Sequence, residues 1–182
     1  MASIFLAKIS HPCFNKIKVS SILKELIVKC KGVHPFFPFK LRSNSSFPFF
    51  DLKLLGYNAI ISGQKSYNGV AILTKKEIHH IKTDLLANDP LPQARFIQAE
   101  LDGFIVISVY VPNGNAPEKN PQDKTKLHYK LEWMEALYQH LTQLINAHQK
   151  VILGGDFNVI ERDTDVYNPE LFRDNALMLP EV

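Results

Sequence analysis

Val151-Ile152-Leu153-Gly154-Gly155-Asp156-Phe157-Asn158 is the stretch on which the reading of this chain turns. Three consecutive apolar residues between Lys150 and a Gly-Gly pair have the length and composition of a short buried strand. The glycines let the backbone turn or approach a neighbour closely. Asp156 and Asn158 follow at once. Ligands of open α/β sheets sit at the carboxyl ends of strands, so a carboxylate and an amide here would face a site. Asp156 has the chemistry of a base or a hard-metal ligand, and Asn158 that of a donor to an oxyanion. The plainer reading is an Asx turn that merely ends the strand. The octapeptide alone leaves both open.

Working backward, Leu127, Leu131, Met134, Leu137, Leu141 and Leu144 recur at three or four residues, which predicts a helix from a cap at Asp123 to about His148. Trp133 and Tyr138 widen its apolar stripe as core residues, whereas Lys126, Lys130, Glu132 and Glu135 are expected mostly on its wet face. Before the helix, Asn113 to Gln122 reads as a loop. Arg95–Leu101 and Phe104–Val111 form a hairpin across Asp102-Gly103, a strong two-residue turn signal. Tyr57–Ser62 and Gly69–Thr74 form another hairpin. Ile78–Pro92 reads as an irregular connection, and its adjacent His79 and His80 as surface residues, since neighbours on an extended chain point apart. After the octapeptide come a charged loop, Glu161–Asp165, and a short helix at Leu171–Leu179.

The beginning of the chain has another texture. Residues 1–42 hold eight Lys/Arg and one acid, whereas the remainder holds 13 Lys/Arg and 17 Asp/Glu, so the net charge of +3 conceals a basic arm on an acidic body. Val19–Val28 is patterned as a short amphipathic helix, and Pro35 and Pro38 break the aromatic stretch that follows. A boundary near residue 46 divides an unassigned basic segment, 1–46, from a regular domain, 47–182. The arm has three readings: nucleic-acid binding, a transit peptide, or sequence not native to the fold, which the departures described below favour. With 182 residues and 46% hydrophobic content the chain can bury one sizeable core. No apolar run has the roughly 20 residues of a membrane span. Two cysteines, Cys13 and Cys30, make no disulfide framework, so a reducing, cytoplasmic setting is the default.

Three turns are expected at one sheet edge: residues 63–69, residues 110–115 and Gly155–Asn158. Together they offer Lys65, Tyr110, Asp156 and several amides. That mixture suits a phosphodiester, because amides and a cation hold oxyanions while a carboxylate takes a proton from water. A Gly-rich nucleotide loop, a Ser/His/Asp order and Cys/His zinc spacing are not visible.

The segments Tyr57–Thr74 (YNAIISGQKSYNGVAILT), Asp102–Asn115 (DGFIVISVYVPNGN) and Val151–Asn158 (VILGGDFN) resemble, in order and spacing, the exodeoxyribonuclease III and AP endonuclease branch of the endonuclease/exonuclease/phosphatase family. The similarity spans about residues 47–180. It implies an incomplete two-sheet α/β sandwich flanked by helices, of the DNase I-like kind. It implies Mg²⁺- (or Mn²⁺-) dependent hydrolysis of double-stranded DNA at abasic sites and from 3′ ends, by a monomer. By resemblance, Asp156 orients or deprotonates the attacking water and is the one candidate metal ligand. Asn158 and Tyr110 hold the scissile phosphate, Tyr110 alternatively assisting the leaving oxygen. Asn113 shapes the site, and Lys65, Tyr67 and Asn68 lie along the DNA backbone.

The departures are as specific as the matches. The family opens with a strand ending W-N and a later strand carrying L-Q-E, whose Glu is the principal Mg²⁺ ligand. It closes with D-H, whose His stabilises the phosphate transition state. Neither flank is found, and Glu25 lies on a helical pattern, so the metal role is not carried onto it. The chain therefore reads as a truncated or frame-disrupted form with impaired activity. Two rival readings stand beside it: a non-catalytic nucleic-acid-binding remnant, and a phosphatase acting on small phosphoesters.

Overall fold

In the computed structural model the residues described are 4–8, 26–30, 47–64, 68–86, 89 and 92–182. Eight strands and two α-helices occur among them, together with two short 3-10 helices at Asp163–Asp165 and Pro169–Phe172. The strands are β1 (Ile4–Lys8), β2 (Leu26–Cys30), β3 (Asn58–Ser62), β4 (Val70–Thr74), β5 (His79–Lys82), β6 (Phe96–Leu101), β7 (Phe104–Tyr110) and β8 (Val151–Asp156). The helices are α1 (Phe49–Leu54) and α2 (Thr125–Asn146).

Five strands form one sheet in the order β1-β8-β7-β6-β5, and three form another in the order β2-β4-β3. Strand β8 lies between parallel partners, β1 and β7. A strand covered on both faces needs a continuous apolar run, and Val151, Ile152 and Leu153 supply it. The alternation of side chains along β7 then divides the core. Ile105, Ile107 and Val109 pack with Val151, Leu153, Trp133 and Leu137 under α2. Val106 packs with Ile152, Ile97, Val70 and Ile72 between the two sheets. Leu52 of α1 caps the far side of the small sheet with Ala71 and Leu73. The layers thus run helix, sheet, sheet, helix, the sandwich expected from the sequence.

Both hairpins form: β3 pairs β4 and β6 pairs β7, each antiparallel. Asp102 (φ 50°) and Gly103 (φ 74°) take the left-handed conformations that the tight connection requires. Asp123 accepts the Thr125 N–H at 2.9 Å, two residues before the helix begins at Thr125.

Several expectations are corrected. The first lies in the basic segment, where Leu26–Val28, the end of the expected amphipathic helix, is strand, pairing with β4. Apolar β-branched residues that find an open sheet edge satisfy their backbone there, and helical spacing over ten residues is a weak competitor. The rest of that expected helix, and Glu25, lie outside the described residues. Strands β1 and β2, both before residue 46, pair with β8 and β4. His79–Lys82 is an edge strand where an irregular connection was expected, and both histidines are exposed as expected. Tyr138, expected in the core, is 62% exposed. Leu171–Leu179 contains only the end of a 3-10 turn and further turns, because Pro169 and the run Arg173-Asp174-Asn175 favour local turns over a helix.

Candidate active site

Tyr110 and Asp156 end neighbouring parallel strands and are direct register partners. Their side chains point to the same side of the sheet, the side of Val106 and Ile152, just beyond the apolar core. Strand β8 can lie so close to β7 because residue 155 is glycine. A Cβ there (φ +148°) would overlap the Val109 carbonyl oxygen. The Val111 N–H donates to the Asp156 carbonyl at 2.9 Å, extending the pairing into the loop.

Asn158 sits in the left-handed region (φ 47°). Its N–H donates to Asp156 Oδ1 at 3.0 Å, and its Nδ2 donates to the Val111 carbonyl at 2.8 Å. The Asx turn expected as the plainer reading of the octapeptide forms. The turn fixes the carboxylate, and the amide bridges the loops after β7 and β8. Burial raises the Asp156 pKa above the ordinary carboxylate value. The Asn158 N–H, Arg95 and Lys130 pull it back down.

Arg95 and Lys130 are the two residues that sequence reasoning missed. The Arg95 guanidinium lies 4.7 Å from the Tyr110 ring centroid and donates from Nη1 to the Tyr110 carbonyl at 3.1 Å. Its Nε donates to Gln93 Oε1 at 2.6 Å. Burial lowers its pKa against the pull of Tyr110 and Asp156. Its place at the entry of β6, opposite the end of β7, was the only available signal. Lys130, expected on the wet face of α2, is fully buried. Its ammonium donates to the carbonyls of Asn158 at 2.7 Å and Ala176 at 2.8 Å, and approaches that of Asn113 at 3.4 Å. The wet-face expectation failed because the loops after β7 and β8 fold over this part of the helix, which helical periodicity cannot register.

The other candidates divide. Asn113 is exposed, and its Oδ1 accepts the Asn115 N–H at 3.0 Å, so it shapes its own loop. Asn68 (φ 62°) is buried and donates to Gln93 Oε1 at 3.0 Å, which holds the turn against the Arg95 network. Lys65 and Tyr67 lie outside the described residues.

A divalent metal held by protein takes hard oxygen ligands in an octahedral or larger shell. Among the described residues no three His, Cys, Asp or Glu side chains group to hold one. Asp156 is a single carboxylate whose Oδ1 already accepts a hydrogen bond, with the buried Lys130 and the half-buried Arg95 nearby. These residues alone do not fit a complete metal site.

A two-sheet sandwich with a Tyr, an Asp and an Asn drawn together at the ends of its parallel strands is the architecture of a DNase I-like domain. The chain belongs to the endonuclease/exonuclease/phosphatase family, whose model matches residues 23–178. That match begins within the basic segment and takes in β2. An exodeoxyribonuclease of Bacillus subtilis is 29% identical over 113 residues, 62% of this chain and 42% of the relative. An AP endonuclease from Archaeoglobus fulgidus superposes with a TM-score of 0.72 at 28% identity, covering 87% of this chain and 58% of that one. A 3′ phosphatase from Neisseria, solved bound to a product DNA hairpin, superposes with a TM-score of 0.71 at 31% identity, covering 86% and 58%. The chain thus spans less than half the length of the Bacillus relative. Nucleases of this family normally use a divalent metal. Among the described residues no helix is long and apolar enough to cross a membrane.

Proposed function

We propose that this chain carries part of a phosphodiester-hydrolysing site that acts on double-stranded DNA at abasic sites or 3′ ends. The observation that carries the reading is the register pairing of Tyr110 with Asp156, with Asn158 tied to the Asp156 carboxylate. Acid, phenol and amide are then brought to the carboxyl ends of two parallel strands, where ligands of such sheets sit.

In this reading Asp156 accepts the proton of the attacking water. Partial burial strengthens it as a base, and the Asn158 N–H fixes which oxygen is presented. Asn158 uses one hydrogen of its side-chain amide on Val111 and presents the other to a phosphate oxygen. Tyr110 offers its hydroxyl to the same phosphate from a ring braced by Arg95. Asn113 shapes the neighbouring loop, and Lys65 and Tyr67 contribute backbone contacts that position DNA without reading its sequence. The accompanying expectation is a monomer in a reducing, cytoplasmic compartment.

The test is cleavage of an abasic-site duplex with Mg²⁺ by the chain and by its Asp156→Ala variant. Removal of a general base is expected to slow cleavage by roughly 10²–10⁴-fold. Equal rates at background level would sink the catalytic reading. The shortage of carboxylates then favours the second reading, a DNA-binding domain without catalysis. It would show undiminished binding in Asp156→Ala and a steep loss of affinity with salt.

A further inference from the structure

Lys130 is a buried charge with no part in the chemistry above, and burial of an ammonium is costly unless something specific answers it. Three segments of backbone meet around it. They are the loop after β7 at Asn113, the loop after β8 at Asn158, and the C-terminal segment at Ala176. An ammonium carries three hydrogens, and each segment offers one carbonyl. Other bonds join the same segments: Asn115 donates to Asn175 Oδ1 at 3.0 Å and accepts the Ala176 N–H at 2.7 Å, and the Ile160 N–H donates to the Leu177 carbonyl at 2.7 Å. Gly114 (φ +85°) makes room for the lysine stem, since a Cβ there would lie 2.7 Å from Lys130 Cδ.

We propose that Lys130 is a positioning residue for the hydrolytic site, its ammonium holding the Asn158 carbonyl so that the Asn158 N–H fixes the Asp156 carboxylate. This rests on the nuclease reading for its catalytic consequence, though not for its geometry. Asn158 needs such a hold. A non-glycine residue in the left-handed region stays there only when its surroundings over-determine it. Its N–H and its side-chain amide supply two ties, to Asp156 and Val111. The ammonium supplies the third, on the carbonyl. Burial draws the lysine pKa down to about 8 against the pull of Asp156, as expected of a charge kept in place by geometry at an energetic cost.

Lys130→Met keeps an unbranched apolar stem, one heavy atom shorter, and removes every donor. In the full chain, amide hydrogen exchange at Asn158 is expected to quicken roughly 100-fold while the β7 amide of Ile107 keeps its protection. Unchanged protection at Asn158 would overturn the proposal whether or not the chain cleaves DNA. Should the variant fail to fold, Gly114→Ala applies the same test by crowding the stem with the ammonium retained. On an abasic-site duplex, a misplaced base is expected to lower kcat roughly 100-fold with KM changed less than about 3-fold. Loss of thermal stability with kcat intact would mark a merely structural lysine and also overturn it. If the parent chain cleaves nothing, the nuclease reading fails, and the exchange measurement alone decides the role of Lys130.

Discussion

The two ends of β7 carry polar clusters of opposite character. At its start, around the Asp102-Gly103 turn and the β5 edge, polar side chains pair with one another in water. Lys76 lies 3.2 Å from Asp102, His79 3.7 Å from Glu77, and His80 3.9 Å from Glu100, all at least partly exposed. At its finish, Arg95, Asn158 and Lys130 turn inward and donate to backbone carbonyls. The first cluster decorates a surface that would hold its shape without it. The second fixes the course of the loops it binds, and those loops carry the candidate site. Polar residues that spend their hydrogen bonds on backbone are the ones that determine geometry.

The largest effect expected at the inward end is that of Gly155→Ala. The new Cβ would meet the Val109 carbonyl, which is backbone on the adjacent strand and cannot rotate away. Strands β7 and β8 would have to part, at a cost of roughly 3 kcal/mol or more in a urea titration. Gly103→Ala is the matching change at the other end. That glycine also has positive φ, but nothing lies within 4 Å of its added Cβ. The conformational penalty alone is expected there, about 1 kcal/mol. Equal losses at the two sites would mean that the close approach of β8 is no constraint.

The buried cation gives an effect of similar size that depends on pH. The Lys130 pKa is about 8 in the fold against an ordinary value of 10.5. Between those values the unfolded chain holds a proton that the folded chain has released, so stability rises with pH. The gain is complete above pH 10.5 and is lost as pH falls through about 8. Each tenfold difference in proton affinity between the folded and unfolded chains is worth about 1.4 kcal/mol. Relative to Lys130→Met, the parent should therefore gain about 3 kcal/mol across that window in urea titrations. Parallel pH profiles for parent and variant would show that this ammonium is as well solvated as a surface lysine.

Asp156 should behave in the opposite sense and by less. Its pKa is raised in the fold, so what it contributes to stability is present at acid pH and lost as pH rises through that raised value. Asp156→Asn stays neutral and keeps an oxygen for the Asn158 N–H. It is expected to melt at or above the parent temperature at pH 7 while cleavage is lost, the exchange of stability for activity common at catalytic sites. A lower melting temperature would mean that Arg95 and Lys130 compensate the carboxylate fully.

What could be read beforehand follows the same division. Hairpins, helix α2 and strand β8 announce themselves by periodicity and turn residues, and Tyr110, Asp156 and Asn158 by lying at strand ends. These are local signals, and resemblance sharpened them. Lys130 was not legible, because its burial depends on loops 17 and 28 residues away closing over the helix. Arg95 was legible as the start of a strand but not as the brace of Tyr110, which follows from register across a hairpin. Strand β2 escaped because an edge strand is decided by the partner it finds. In the octapeptide, the Asx turn forms at the very residues proposed for the site.

The smallest effect tests the solvated end of the comparison. Lys76 and Asp102 are 42% and 48% exposed. An ion pair with that much water around it gains little Coulomb energy and gives up side-chain freedom. Lys76→Ala should therefore change the unfolding free energy by less than about 1 kcal/mol, and by less still in high salt. Asp102 keeps its own reason to be there, since it holds a left-handed conformation that the tight turn requires. Asp102→Ala should accordingly destabilise more than Lys76→Ala, through the backbone and not through the charge. If the lysine substitution were the more damaging of the two, the exposed cluster would be part of the framework, and burial would no longer separate the two ends of β7.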